Sequence, residues 1–173
     1  MKPQLTVFAD ATELGRAVAQ EIGEAVEAAA GSRFVLGCPG GRSPMSTYVA
    51  LSEWFSERNT DLSQLVIAMM DDYVLSGADG LHQPPADAHY SCRRFAREEI
   101  QARLNAGVSP EHRIPDEHVW GPEPADPAAY ESKLEETGVD YFILASGAGD
   151  GHVAFNPPGS PLDSTSRVVE LAE

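Results

Sequence analysis

Arg33-Phe34-Val35-Leu36-Gly37-Cys38-Pro39-Gly40-Gly41-Arg42-Ser43-Pro44 carries a strand, a turn and the first residue of a helix in one short stretch. The apolar run to Cys38 is too short for a helix and lacks alternation, so it reads as a strand buried on both faces. Pro44 suits a first helical position, because its fixed φ matches the helix and its missing N–H needs no partner there. Ser43 then becomes the expected N-cap, and Gly40 and Gly41 let the backbone come close to a ligand.

The same alternation extends outward from this unit. Upstream, Leu5-Thr6-Val7-Phe8 is a short β-rich run and predicts a strand. Asp10 and Thr12 are N-cap candidates. Leu14, Val18, Ile22, Val26 and Ala29 then recur at helical spacing up to Gly31. Downstream, Tyr48, Leu51 and Phe55 mark a second helix, and Leu65-Val66-Ile67-Ala68-Met69-Met70 a strand closing on Asp71-Asp72-Tyr73. Residues 75–88 are rich in Gly, Pro, Asp and Ala and predict a long surface loop. A polar helix is expected at about 90–104, a short strand at 117–120, a loop at 122–127 and a helix ending near Thr137. Val139-Asp140-Tyr141-Phe142-Ile143-Leu144 is the last strand and runs into Ser146-Gly147-Ala148-Gly149-Asp150-Gly151-His152. Strands alternating with amphipathic helices predict a single α/β domain over 1–173, with a parallel sheet flanked by helices. Ligands of such sheets bind beyond the carboxyl ends of the strands, where clusters 39–44, 71–73 and 146–152 fall.

Composition narrows the partners. The chain has 173 residues, of which 42% are hydrophobic, enough for a real core. A net charge of −15, from 27 acidic and 12 basic residues, argues against nucleic acid or an anionic membrane as partner. A phosphate site would have to be built locally, from backbone N–H groups and a few cations. No apolar run is long enough to span a bilayer, and the N-terminus shows no secretory signal, so the expected location is the cytoplasm. Cys38 and Cys92 are then expected to be reduced, and with no evident activating partner both read as packing residues.

Each cluster has a chemical reading. The Gly40–Pro44 turn resembles a helix-terminus anion site, with Arg42 as a cation and Ser43 as a hydroxyl donor. It is neither a Walker loop nor a dinucleotide fingerprint. Asp71, beside Met70 at a strand end, suits a base of raised pKa. Adjacent Asp71 and Asp72 point in different directions, so at most one is expected to face the site. Asp150, two residues before His152, can orient the imidazole. His82, His89, His112 and His118 lack metal-ligand spacing; His82 and His89 fall in the long loop, toward the rim of the site. A surface turn or a cap is the plain alternative for each cluster taken alone.

Together, Gly40-Gly41-Arg42-Ser43-Pro44, Met70-Asp71-Asp72-Tyr73-Val74 and Gly149-Asp150-Gly151-His152-Val153-Ala154-Phe155-Asn156 resemble the superfamily of glucosamine-6-phosphate isomerases/deaminases and 6-phosphogluconolactonases, from about residue 5 to the last. The resemblance implies a modified Rossmann-like three-layer sandwich with a mostly parallel sheet. It implies a sugar-phosphate substrate, no metal and no organic cofactor, and leaves a homo-oligomer open. Asp71 would move a proton between C2 and C1 of the opened sugar, and Asp150 and His152 would assist ring opening. Gly40, Gly41, Arg42, Ser43 and Asp72 would bind the substrate and its phosphate.

Three departures bear on activity. Pro157 stands where the deaminases carry Glu, and Arg42 is more typical of the lactonases. The family domain also continues beyond Glu173 with a portion that supplies basic residues, so a C-terminally truncated domain is expected. Ser160 and Arg167 match effector-site residues of regulated deaminases, but Val169 replaces a Lys there, and such regulation is not expected. An isomerase/deaminase is the leading reading, a lactonase the alternative, and a non-catalytic sugar-phosphate binding module the rival of another class.

Overall fold

The structure, a computed structural model, describes residues 4–29, 31–144, 146, 147, 149 and 151–171. Four parallel strands form the sheet in the order β5-β2-β1-β6: β1 (Phe34–Cys38), β2 (Leu65–Met69), β5 (Val119–Trp120) and β6 (Tyr141–Phe142). Period-two alternation divides the buried side chains between two layers. Phe34, Leu36, Cys38, Leu65, Ile67 and Met69 face a large core with α1 (Ala11–Ala29), α2 (Met45–Arg58) and the helix at 92–105. Val35, Val66 and Ala68 face a smaller core with Trp120 and with Tyr130 and Leu134 of α5 (Pro127–Thr137). This is the helix–sheet–helix sandwich that the sequence predicts.

Local chemistry explains the helix ends. Asp10 Oδ1 accepts from Thr12 N and Glu13 N at 2.8 and 2.9 Å, while Glu13 Oε2 accepts from Ala9 N at 2.8 Å. This reciprocal arrangement is close to a capping box and satisfies the orphan donors of α1. α2 ends on Asn59 in the left-handed region, at φ 47°. Asp126 caps α5 through Ala129 N. The helix at 92–105 comprises α3 (Cys92–Phe95), a π turn (Ala96–Gln101) and α4 (Ala102–Asn105).

Several expectations are corrected. Residues 5–8 form no strand, and Leu5 and Val7 are 89% and 84% exposed. A β-rich composition does not supply a ladder partner, and β1 is already flanked by β2 and β6. The loop at 75–88 contains a hairpin, β3 (Leu75–Gly77) with β4 (Gly80–His82), which Gly80 turns at φ 104°. Ser43 is not the N-cap of α2. Pro44 holds that position at φ −82°, ψ −1°, and no side chain caps it. The strands expected at 117–120 and 139–144 shorten to two residues each, although Ile143 N still donates to Gly37 O at 3.0 Å.

α1 and α2 meet along small residues. A Cβ on Gly15 would lie 2.6 Å from the Ser46 carbonyl carbon, and one on Gly23 would lie 2.4 Å from the Trp54 indole nitrogen. Gly15→Ala gains about 1 kcal/mol of helix propensity. It also forces a methyl group onto backbone that cannot swing away, at a cost of about 1–3 kcal/mol. We expect the clash to prevail, with a net loss of up to about 2 kcal/mol in urea unfolding.

Candidate active site

The strand order places a switch point between β1 and β6. From β1 the chain steps outward to β2 and β5, then returns to the other side of β1. Loops leaving neighbouring strands in opposite directions open a crevice at the carboxyl end of the sheet. The Pro39–Gly41 turn after β1 and Ser146, Gly147 and His152 after β6 border that crevice, and Met70, Asp71 and Tyr73 after β2 close its third side. A cavity of about 360 Å³ lies there, within the range of small-molecule sites. Gly40, Gly41, Asp71, Cys92 and His152 line it together.

Asp71 is half-buried in this cavity. Burial pushes its carboxyl above the usual carboxylate range, against a hydrogen bond from Cys92 that lowers it; the Asp72 charge raises it and His152 lowers it. Cys92 Sγ lies 3.6 Å from Asp71 Oδ1. This corrects the expectation that Cys92 only packs, because its thiol has the candidate base as its partner. Cys38 does pack: it is buried, its Sγ lies 3.5 Å from Leu36 O, and burial pushes its thiol up to about 12. Both cysteines are free thiols.

The adjacent carboxylate of Asp72 does not line this cavity but does line a larger one beside it. Asp72 Oδ1 accepts from Tyr73 N and Cys92 N at 2.8 and 2.9 Å, and Oδ2 accepts from Arg93 N at 3.2 Å. Ser91 Oγ takes Arg94 N at 3.2 Å, and Ser91 O takes Phe95 N. The helix at 92–105 thus begins with its first donors satisfied by a residue at the end of β2.

His152 is exposed at the other wall of the cavity. Its loop closes on itself: Ser146 bridges Val153, Gly147 N donates to His152 O at 2.9 Å, and Gly151 turns at φ 73°. Asp150 lies outside the described residues. Gly40 and Gly41 reach the cavity, Gly41 with φ 87°. Arg42 and Ser43 are exposed and do not line it. His89 lines the cavity, whereas His82 sits on the exposed hairpin. Among the described residues, no group of three or more His, Cys, Asp or Glu could hold a metal ion.

A larger cavity, about 860 Å³, adjoins the first and shares Asp71, Tyr73 and Phe155 with it. The Tyr73 and Phe155 rings, 4.7 Å apart, form the common wall, and Tyr90 meets Tyr73 edge-on at 5.6 Å. The larger space lacks both the glycine turn and His152. The smaller one is therefore where the chemical groups meet.

No family profile matches the chain. Glucosamine-6-phosphate deaminase of Cutibacterium acnes is 32% identical over 171 residues, covering 98% of this chain and 60% of that protein. The enzyme of that name from Proteus mirabilis is also 32% identical, over 98% of this chain and 61% of its own length. The structure superposes on 6-phosphogluconolactonase from Trypanosoma brucei at TM-score 0.67 with 25% identity, covering 97% of this chain and 69% of that one. The chain belongs to the glucosamine-6-phosphate deaminase and 6-phosphogluconolactonase superfamily. A monomeric glucosamine-6-phosphate deaminase shares this superfamily fold at TM-score 0.75 and 21% identity, over 95% of this chain and 63% of that one. The chain spans about three fifths of the length of the deaminases it matches. Among the described residues, no helix is long and apolar enough to cross a membrane.

The cap offered by Asp72 has a measurable value. Asp72→Ala leaves Cys92 N and Arg93 N without their acceptor and is expected to cost about 1–2 kcal/mol. In a domain of this size that lowers Tm by roughly 2–8 °C, read by calorimetry, and Asp72→Asn should recover much of the loss.

Proposed function

We propose that this chain acts on a hexose 6-phosphate by proton transfer, with Asp71 as the base and His152 as its partner across the cavity. The observation that carries this reading is the opening of Asp71, His152 and the Gly40–Gly41 turn into one space of about 360 Å³. In the leading form, the Asp71 carboxylate takes the proton from C2 of the opened sugar and returns it to C1. His152, with Asp150, moves the proton that opens the ring. A carboxyl raised by burial is a stronger base than a solvated one and suits this step. The backbone at Gly40 and Gly41 can approach the phosphate closely. Glucosamine-6-phosphate deaminases among the relatives support an amino sugar as substrate.

Pro157 favours a second reading. It occupies the place where the deaminase pattern has Glu, and it cannot titrate. Its carbonyl accepts from Ser160 N and Oγ, at 3.1 and 2.8 Å, within a turn. In a lactonase, His152 would take a proton from water as the oxygen attacks the ester carbonyl. The ester C–O bond then breaks, and the sugar hydroxyl leaves protonated.

Two assays on the full chain separate these forms. Ammonia release from glucosamine 6-phosphate supports the deaminase. Acid release from 6-phosphogluconolactone, well above the spontaneous rate, supports the lactonase. Neither product, with phosphate esters raising Tm, would leave a binding module. In the deaminase form, Asp71→Asn should lower kcat by about 10²–10⁴-fold.

The pH dependence follows from the sign of the Asp71 shift. The base must be ionised, so activity should fall with decreasing pH along a limb lying above the ordinary carboxylate range. A raised folded-state pKa also means that ionised Asp71 costs stability, a penalty absent at low pH and present once pH exceeds the folded pKa. Asp71→Asn should therefore raise Tm at pH 7 while lowering turnover as stated above, and the gain in Tm should shrink toward pH 3.

A further inference from the structure

We infer that Cys92 is a positioning residue for Asp71, its thiol donating to Oδ1 and holding the charged carboxylate in one orientation toward the cavity. The inference rests on the reading of Asp71 as the base.

Three observations support it. The thiol is 3.6 Å from Asp71 Oδ1, within hydrogen-bonding range for sulfur, and a Cβ on Gly40 would meet Sγ at the same distance. Cys92 thus sits between the glycine turn and the base. Its backbone is fixed independently, because Cys92 N donates to Asp72 Oδ1 and the residue opens a helix capped by Ser91. With one side-chain torsion, the thiol has little freedom to leave. Finally, the residue is 8% exposed, and burial together with the Asp71 and Asp72 charges pushes its thiol far up. It stays protonated and remains a donor, and its low thiolate content argues against a nucleophilic role.

The groups acting on Asp71 oppose one another. Asp72, its chain neighbour, raises its pKa, and His152 lowers it from the 146–153 loop. The Tyr73 hydroxyl, itself raised mainly by burial, feels the Asp71 charge. Cys92 is the donor in direct contact, and it favours the ionised acid. Without it, burial and Asp72 gain weight, and the carboxyl should protonate at higher pH.

The test uses the full chain and has two readouts. Carboxyl titrations by 13C NMR follow Asp71, identified as the signal absent in Asp71→Asn. The Asp71 midpoint should rise in Cys92→Ala and return to or below the wild-type value in Cys92→Ser, whose hydroxyl is a stronger donor. The acid limb of kcat/KM should move in the same order. On the plateau, Cys92→Ala should lower kcat about threefold with KM unchanged, as expected for a lost weak hydrogen bond that orients rather than binds. Should the alanine variant fail to fold, Cys92→Val replaces it as a non-donor of similar bulk. An unmoved midpoint in the non-donor variant, or equal shifts in Ser and Ala, overturns the inference. A wild-type chain that turns over neither substrate overturns the catalytic reading instead, while the NMR midpoint still decides the contact.

Discussion

The carboxylate of Asp72 is the tie on which the site depends. It stands at the end of β2 and accepts the first two N–H groups of the helix at 92–105, twenty residues further along the chain. A helix start is electropositive and carries unsatisfied donors. An acid placed there satisfies both demands and fixes where the helix begins. That position sets Cys92 against Asp71, Phe95 against Tyr48, and Ser91 at the cavity wall. Two adjacent acids thus take different tasks through geometry alone: Asp72 ties down the backbone of the helix, and Asp71 lines the smaller cavity.

The electrostatics of the cavity accord with the composition. A chain of net charge −15 does not attract an anion from a distance. Among the described residues, no Lys or Arg lines the smaller cavity. Among the described residues, the donors available to an anion there are backbone N–H groups, the hydroxyls of Tyr73, Tyr90, Ser91 and Ser146, and the rings of His89 and His152. Such a site acts at contact range, where oriented dipoles outweigh a diffuse surface charge that salt largely screens.

Much of the fold was legible because its main strands are buried on both faces. Phe34–Cys38 and Leu65–Met69 read as unbroken apolar runs, and Ile22 and Val26 of α1 are buried as their helical spacing predicts, whereas Leu14 is exposed and Gly15, Ala19 and Gly23 complete the buried face. The convergence of Asp71, His152 and the glycines could be anticipated from their place at strand ends. Long-range pairing was not legible. Nothing in Leu5–Phe8 says that no neighbouring strand will accept it, and nothing in residues 75–82 distinguishes a Gly-rich loop from a Gly-turned hairpin. Arg42 and Ser43 are exposed outside the cavity, and α2 begins one residue later than expected, with Pro44 as N-cap rather than first helical residue. The Cys92 contact was invisible for a similar reason. Its partner lies twenty-one residues back, and only the Asp72 tie brings the two together.

The seam at Gly15 and Gly23 bears on the mechanics of the site. Where two helices touch through side chains, they can roll or slide, because flexible chains refill the gaps. Here backbone rests on backbone at Ser46, and an indole ring lies directly over Gly23. α2 is seated against α1 like a key in its slot, with its azimuth and height both set. The glycine turn at its head therefore inherits the rigidity of the whole helix pair, and a bound anion would meet a surface that does not recoil.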